Sequence, residues 1–382
     1  MSPEKNEKTA AEQTPADNVR ADIESGRGTG LKDLSKDDTR MGGISEPDGE
    51  SAGISEYGEE TDSREETGHE AILSAWHVTK QFPASGGRIL KACNDINLTV
   101  YRGRTLGIVG ESGCGKSTFV KMIVQMLQPT EGQILFDGKD ITKLKGEELR
   151  QSRKKLQMVF QDPAAAFSPK MRIIDIVTEP LMNFKLIRRP EREAKAKELL
   201  RMVELPEDFV YRYPHNMSGG QRQRVGIARA LALEPEIIVC DEATSALDVS
   251  VQDRIIELLV KLQKEKGISF VFICHDMALV QSFAHQLAVM YLGNIVEVLP
   301  GSEVATNAQH PYTQAMLGAI FSTKMDFTKK IESIESEAPS PVDAPPGCPF
   351  QNRCDRCMDI CKKEKPTLKT IGKYHEVACH LF

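Results

Sequence analysis

An α/β fold is the class this sequence predicts, and three observations carry the prediction. From about Ile72 onward, short apolar runs alternate with segments of helical periodicity. Three of those runs, 105–109, 236–241 and 268–274, are apolar along nearly their whole length, as strands covered on both faces are. The first of them passes directly into a glycine-rich loop and then a helical pattern.

The elements follow in chain order. At 382 residues there is room for one large domain, or for one domain with appendages. The first 70 residues differ in kind: 19 acidic against 8 basic side chains give them −11, which leaves +5 for the rest of a chain whose total is −6. With so few apolar groups they cannot offset chain entropy, so residues 1–70 are expected to form a disordered acidic tail. No internal repeat is apparent. No apolar run approaches the roughly 20 residues that cross a bilayer, and no apolar leader flanked by basic residues opens the chain. The expectation is a soluble, cytoplasmic chain that meets a membrane only through a partner, and the charge balance speaks against nucleic acid.

Thr105 to Val109 reads as a strand and Lys116 to about Leu127 as a helix, with Gly110-Glu111-Ser112-Gly113-Cys114-Gly115-Lys116-Ser117-Thr118 between them. Strand, glycine loop and helix form the context that a phosphate-binding loop requires. Its backbone N–H groups and the helix N-terminus would surround phosphates, Lys116 would neutralise the β- and γ-phosphates, and Ser117 would ligate Mg²⁺. Gly110, Ser112, Gly113, Cys114, Gly115 and Thr118 complete the expected ATP-binding set. A helix N-terminus and Lys116 beside Cys114 lead to the expectation of a lowered thiol pKa, and of inactivation by alkylators with ATP protecting.

Gln161 follows another short strand and opens a loop, where its side-chain carbonyl could coordinate Mg²⁺. Residues 190–203 are charged and then amphipathic, a helical segment. Ser218 precedes a helical run from Gln221 to Leu233, and Ser with Gln three residues on is a capping box. Gly219 and Gly220 leave that helix end bare, ready for an anion. Asp241 ends the second apolar strand, positioned to hold Mg²⁺ through water. Glu242 follows it and is assigned as the general base for the attacking water. A helix is expected from Val251 to Glu265, stopped by Gly267. His275 follows the third apolar strand.

Nine cysteines complete the inventory. Cys93, Cys114, Cys240 and Cys274 stand singly, while five crowd between Cys348 and Cys379. In a chain without a secretion signal, such a cluster suggests a metal before disulfides.

Taken together, the glycine loop, Met217-Ser218-Gly219-Gly220-Gln221 and the strand ending in Asp241-Glu242 resemble the ATP-binding cassette of ABC transporters. The resemblance implies a P-loop NTPase fold of ABC type over residues 71–322, with an antiparallel β subdomain and an inserted helical subdomain. It implies that Phe82 stacks on adenine and that His275 contacts the γ-phosphate. The Gln161 loop would couple nucleotide to a membrane subunit. Two cassettes would pack head to tail, Ser218, Gly219, Gly220 and Gln221 of each closing on the other's ATP, with Ser245 to Asp248 along the interface. One departure is Ala243-Thr244, where proline is expected after the glutamate.

Residues 308–313, the proline-rich segment near Pro345 and the cysteines at 348, 354, 361 and 379 look like the C-terminal extension of oligopeptide/dipeptide (and nickel) importer ATPases, here 323–382. Arg212-Tyr-Pro-His and Cys240-Asp-Glu look more like the second, F-type ATPase of such a pair. The implied partners are a D-type ATPase (or a second copy), two membrane permeases at the cytoplasmic face and, indirectly, an extracytoplasmic solute-binding protein. Cys348, Cys354, Cys361 and Cys379 match the family spacing. Thiolate ligation suits a [4Fe–4S] cluster or zinc, and the resemblance favours the cluster. Cys357 is extra to the pattern and could replace Cys354 or Cys361. A nickel or other-solute importer, a non-transport cassette and a nucleotide-gated regulator are the alternative readings.

Overall fold

The computed structural model describes residues 69–319 apart from Ala246, the isolated Ser340 and Val342, and residues 345–382. Residues 1–68 of the expected acidic tail lie outside the described residues.

Two extended runs, β1 (Ala71–Pro83) and β2 (Ile89–Tyr101), pair antiparallel as a long hairpin. The strand β3 (Thr105–Val109) leads through the glycine loop into α1 (Lys116–Ile123). After these come β4 (Glu131–Phe136), β5 (Lys139–Asp140), α2 (Gly146–Lys155) and β6 (Leu156–Val159). A helical insert holds α3 (Pro163–Ala166), α4 (Ile173–Asn183) and α5 (Arg192–Met202). The chain then re-enters the core through α6 (Gly219–Leu231), β7 (Ile237–Asp241), α7 (Val249–Lys266), β8 (Ser269–Ile273) and α8 (Met277–Gln281). It finishes with β9 (Gln286–Tyr291), β10 (Asn294–Pro300), α9 (Val304–Asn307), α10 (Pro311–Gly318), α11 (Asp359–Lys363), β11 (Lys369–Gly372) and β12 (His375–Val377).

Two sheets result. One has the order β2-β1-β4-β5 and is antiparallel; the other runs β11-β12-β10-β9-β3-β8-β7-β6. In the second, β6, β7, β8, β3 and β9 are parallel, and β10, β12 and β11 are added antiparallel. Because β3, β8 and β7 are parallel neighbours, their carboxyl ends share one edge, where ligands of open α/β sheets bind. Asp241 registers with Ile273 and Ile273 with Ile108, which brings the acidic strand end beside the glycine loop.

Packing follows the sequence periodicity. Ala196, Leu199, Leu200 and Val203 fall at i, i+3, i+4 and i+7, and all are fully buried against α4 and α6. Truncating Leu199 to alanine would cost about 3 kcal/mol. The antiparallel sheet buries Leu73, Val78 and Ile96 against Ile108, Phe119 and Ile123. At the exposed rim, Arg102 bridges Glu70, Asp137 and Glu236, tying the hairpin to the parallel core.

Helix α1 stops four residues short of the expected Leu127. Val124 caps it and Gln125 takes a left-handed φ of 59°, so the N–H groups of Met126 and Leu127 fold back onto the carbonyl of Lys121. At the other end of the chain, β12 registers Val377 opposite Glu297 of β10, so the tail's hairpin extends the main sheet. The fully buried Glu297 carboxylate accepts from Gln309 N, His310 N and His375 Nε2 at 2.7, 3.1 and 2.9 Å. Among the described residues no helix is long and apolar enough to cross a membrane.

Candidate nucleotide site

The loop between β3 and α1 takes its shape from its glycines. Gly110 and Gly115 have φ of 151° and 108°, and a Cβ on either would stand 2.1 Å from a backbone oxygen, of Met290 and Ala92 respectively. These glycines are thus required by the chain's own close approach as well as by room for a ligand. Lys116 lies buried against the loop, its Nζ donating to Gly110 O at 2.7 Å and Glu111 O at 2.9 Å. Ser112 and Gly113 are exposed at the loop tip, and Thr118 is half-buried on the first turn of α1.

Two side-chain pairs organise the opposite wall. Ser117 Oγ donates to Asp241 Oδ1 at 2.9 Å. Gln161 Nε2 donates to Glu242 Oε2 at 2.8 Å and reaches Ser245 Oγ at 3.3 Å. Desolvation raises the Asp241 pKa first, and the neighbouring Glu242 adds to it against the opposing Ser117 hydrogen bond. A hydroxyl and a half-buried carboxylate within 3 Å form a hard-oxygen donor pair of the kind Mg²⁺ prefers. Glu242 holds a left-handed φ of 48°, its N–H bonded to Ile273 O at 3.2 Å. That turn separates its carboxylate from Asp241's and directs it to Gln161. His275 is exposed just beyond β8. Asp276 next to it caps α8 through Leu279 N. Phe82 is half-buried near the end of β1, with the Lys80 ammonium 5.2 Å from its ring centre.

The Ser218 segment forms the reciprocal cap that its spacing predicts. Gln221 N donates to Ser218 Oγ at 3.3 Å and Ser218 N to Gln221 Oε1 at 3.0 Å. A Cβ on Gly220 would stand 2.5 Å from Val251 Cγ1 and one on Gly219 3.3 Å from Leu247 Cδ2. Both glycines therefore let α6 lie against the start of α7. Ser218 and Gly219 are exposed, as is Asp248 at the N-terminus of α7. The structure joins Ser117 to Asp241 and Gln161 to Glu242, whereas the hydrogen bonds of the Ser218 cap stay within α6.

Two expectations need correction. The Cys114 thiol is 4% exposed, and desolvation raises its pKa despite the opposing pull of Lys116, whose Nζ lies 3.7 Å from the sulfur. Burial outweighs the helix end and the cation. In the tail, burial pushes Cys348 up to about 11, and Cys361, Cys379 and Cys354 lie near enough to add to the shift. Yet among the described residues no three His, Cys, Asp or Glu side chains are gathered to hold a metal ion. As they stand, the four sulfurs do not fit the expected [4Fe–4S] cluster or zinc. Cys357 turns its thiol to the carbonyl of Met358 at 3.7 Å.

Two residues given no role at the loop by the sequence reading touch it. Glu111 N donates to Tyr312 Oη at 3.0 Å, and Arg353 forks onto the Glu111 carboxylate with both distances 2.9 Å. Nothing local signals this, since Arg353 is 242 positions away.

Comparison with known proteins agrees with this geometry. Residues 93–245 match the family described as ABC transporter, and 296–361 match the oligopeptide/dipeptide transporter C-terminal region. A probable peptide ABC transporter ATP-binding protein, y4tS of Sinorhizobium fredii, is 44% identical over 318 residues, covering 82% of this chain and 90% of the relative. The oligopeptide transport ATP-binding protein AppF of Bacillus subtilis is 45% identical over 322 residues, 82% of this chain and 98% of its own length. This chain belongs to the ABC transporter ATP-binding family, in its oligopeptide/dipeptide branch. Its cassette is an ATPase domain. Among solved structures it resembles the dimeric ATP-binding cassette MJ0796 in a post-hydrolysis state with ADP and Pi, 34% identical at a TM-score of 0.55, over 60% of this chain and 98% of that one. CbiO1 from Clostridium perfringens, part of the transporter complex cbiONQ, is 30% identical with a TM-score of 0.56, over 62% and 90%.

Proposed function

We propose that this ATPase energises an importer of di- or oligopeptides, working as a head-to-tail cassette dimer on two membrane permeases at the cytoplasmic face. The observation that carries the reading is the pairing of Ser117 with Asp241 and of Gln161 with Glu242 along one edge of the sheet. In it, Lys116 exchanges its loop carbonyls for the β- and γ-phosphate oxygens. Ser117, Asp241 and Gln161 would hold Mg²⁺, which would supply neutralisation of the charge developing on the phosphates. Glu242, released by Gln161, orients the attacking water and accepts its proton, with His275 beside the terminal phosphate. Phe82 offers its ring to adenine, and Gly110, Ser112, Gly113, Cys114, Gly115 and Thr118 line the phosphates.

Ser218, Gly219, Gly220 and Gln221 close on nucleotide held by a second cassette, with Asp248 at the same interface. MJ0796, a dimer with ADP and Pi, supports that arrangement, and the peptide-transport names of the relatives support the cargo. The second cassette is proposed to be a D-type subunit. The cysteine-rich tail enters as a structural clasp, and iron and sulfide analysis of anaerobically purified chain tests for a cluster. Hydrolysis measured alone and with the co-expressed partner cassette, then peptide uptake by cells lacking the chain, tests the function. No nucleotide turnover in either state, or undiminished peptide uptake, would contradict it.

A further inference from the structure

The ATP-site loop is gripped from outside the cassette core by the cysteine-rich tail. Arg353 has a side chain only 5% exposed, and its two terminal nitrogens meet the two carboxylate oxygens of Glu111 at 2.9 Å each. Such a planar fork fixes direction as well as charge. The same guanidinium donates to Tyr291 Oη at 3.3 Å, and Tyr312 Oη accepts from Glu111 N at 3.0 Å. Tyr291, Tyr312 and Phe350 pack ring against ring with centroids 4.6 to 5.4 Å apart beside this contact, burying the guanidinium while the Glu111 carboxylate stays partly exposed.

Both ends of the link are fixed. The Glu111 carbonyl accepts from Lys116 Nζ at 2.9 Å and from Cys114 N at 3.3 Å, so Glu111 belongs to the fold of the phosphate loop itself. Arg353 ends a tight turn that starts at Cys348, with Gln351 N on Cys348 O and Arg353 N on Phe350 O. Cys348 N is in turn bonded to Cys361 O at 2.7 Å, and a Cβ on Gly347 would stand 2.1 Å from that same oxygen. The cysteine segment therefore holds the guanidinium in place.

A carboxylate inside a phosphate-binding loop is electrostatically adverse, because it repels the polyanion the loop receives. We propose that Arg353 is a positioning residue of the ATP site: it neutralises Glu111, turns that carboxylate away from the phosphates and holds the loop in its receptive shape. The inference rests on the proposed ATP-hydrolysing function, since it presumes that phosphates enter this loop. It also gives the tail a task in nucleotide binding, as a clamp whose geometry depends on the Cys348–Cys361 segment.

The test uses the full-length chain, with MgATP affinity read by titration of a fluorescent ATP analogue and turnover measured in parallel. Arg353→Met should weaken affinity and raise KM about tenfold, the effect of one uncompensated charge near the phosphates, with kcat changed less than KM. Glu111→Gln added to Arg353→Met should restore most of the affinity, because the repelling charge is then gone. Arg353→Lys, which keeps charge and loses the fork, should fall between. A merely structural role would leave the double variant no better than the single. The proposal is overturned if Arg353→Met binds within about twofold of the unsubstituted chain, or if the added Glu111→Gln fails to rescue a folded protein, judged by its melting curve. Lys116→Ala separates the two layers: affinity undiminished there removes the phosphate site itself, and this inference with it.

Discussion

Gln161 holds Glu242 by a 2.8 Å hydrogen bond from its Nε2 to the carboxylate Oε2, and the same amide reaches Ser245 Oγ at 3.3 Å. One side chain thus links the loop after β6 to the acidic end of β7. Movement of that loop releases or restrains the group proposed to activate water.

Glu242→Gln should therefore lower turnover by about 10²–10⁴-fold while MgATP still binds. Gln161→Ala should lower turnover less, since it frees the base but removes one proposed Mg²⁺ ligand. Single-turnover hydrolysis and analogue binding separate the two effects. A Glu242→Gln chain turning over near the unsubstituted rate would remove Glu242 from its role.

Gly220→Ala should disturb the seam between α6 and α7, because the added methyl would stand 2.5 Å from Val251 Cγ1. Overpacking of this kind costs about 1–3 kcal/mol. The expected result is a lower melting temperature and weaker nucleotide-driven dimerisation, and Val251→Ala in the same chain should recover both. Failure of that second change to help would locate the role of Gly220 elsewhere.

Acid should destabilise the fold through two imidazoles, His310, which is buried, and His285, which is exposed at one edge while its Nδ1 meets the backbone. Burial lowers His310 from 6.5 to about 3, and partial desolvation with the nearby Arg104 lowers His285 to about 4; each accepts a backbone N–H through Nδ1, from Tyr312 at 3.0 Å and Thr105 at 3.1 Å respectively. Their folded pKa values lie below the unfolded one, so the unfolded chain binds more protons in acid. Their contribution is complete above pH 6.5 and declines as pH falls towards 4. Urea titrations from pH 7 to 4.5 should show that slope, reduced in His285→Gln. An unchanged slope in that variant would argue that His285 is not its source.

Burial also sets thiol reactivity. Desolvation raises the pKa of Cys114, Cys354 and Cys357 alike, but Cys114 is 4% exposed whereas the other two are half-buried. Iodoacetamide at neutral pH should label Cys357 and Cys354 before Cys114, as peptide mass mapping would reveal. Rapid labelling of Cys114 with loss of ATP binding would reinstate the expectation drawn from its neighbours in sequence.

The contrast at Cys114 shows what a sequence can carry. Local signals were readable: the Thr105–Val109 strand, the Ser218–Gln221 reciprocal cap and the Gly267 stop of α7, whose φ is 66°, all appear where spacing and residue type put them. Each depends on residues within a few positions of one another. Cys114 departs from its expectation because its burial comes from a cluster that includes Met290 and other residues distant in the chain, which no spacing encodes. The same holds for Arg353 on Glu111 and for β12 beside β10, contacts between segments that only the finished fold brings together. Helix α1 ends before the expected Leu127 because Gln125 takes a left-handed turn that its residue type does not mark.

The central claim is that ATP joins two cassettes through the exposed end of α6. Its most direct measurement is sedimentation of the Glu242→Gln chain, co-expressed with its partner cassette, with and without MgATP, and again with Ser218→Arg added. The account predicts a complex that forms only with MgATP and is lost with Ser218→Arg, while the chain's own analogue binding stays within about twofold. A complex equally abundant without nucleotide, or indifferent to arginine at position 218, would contradict it.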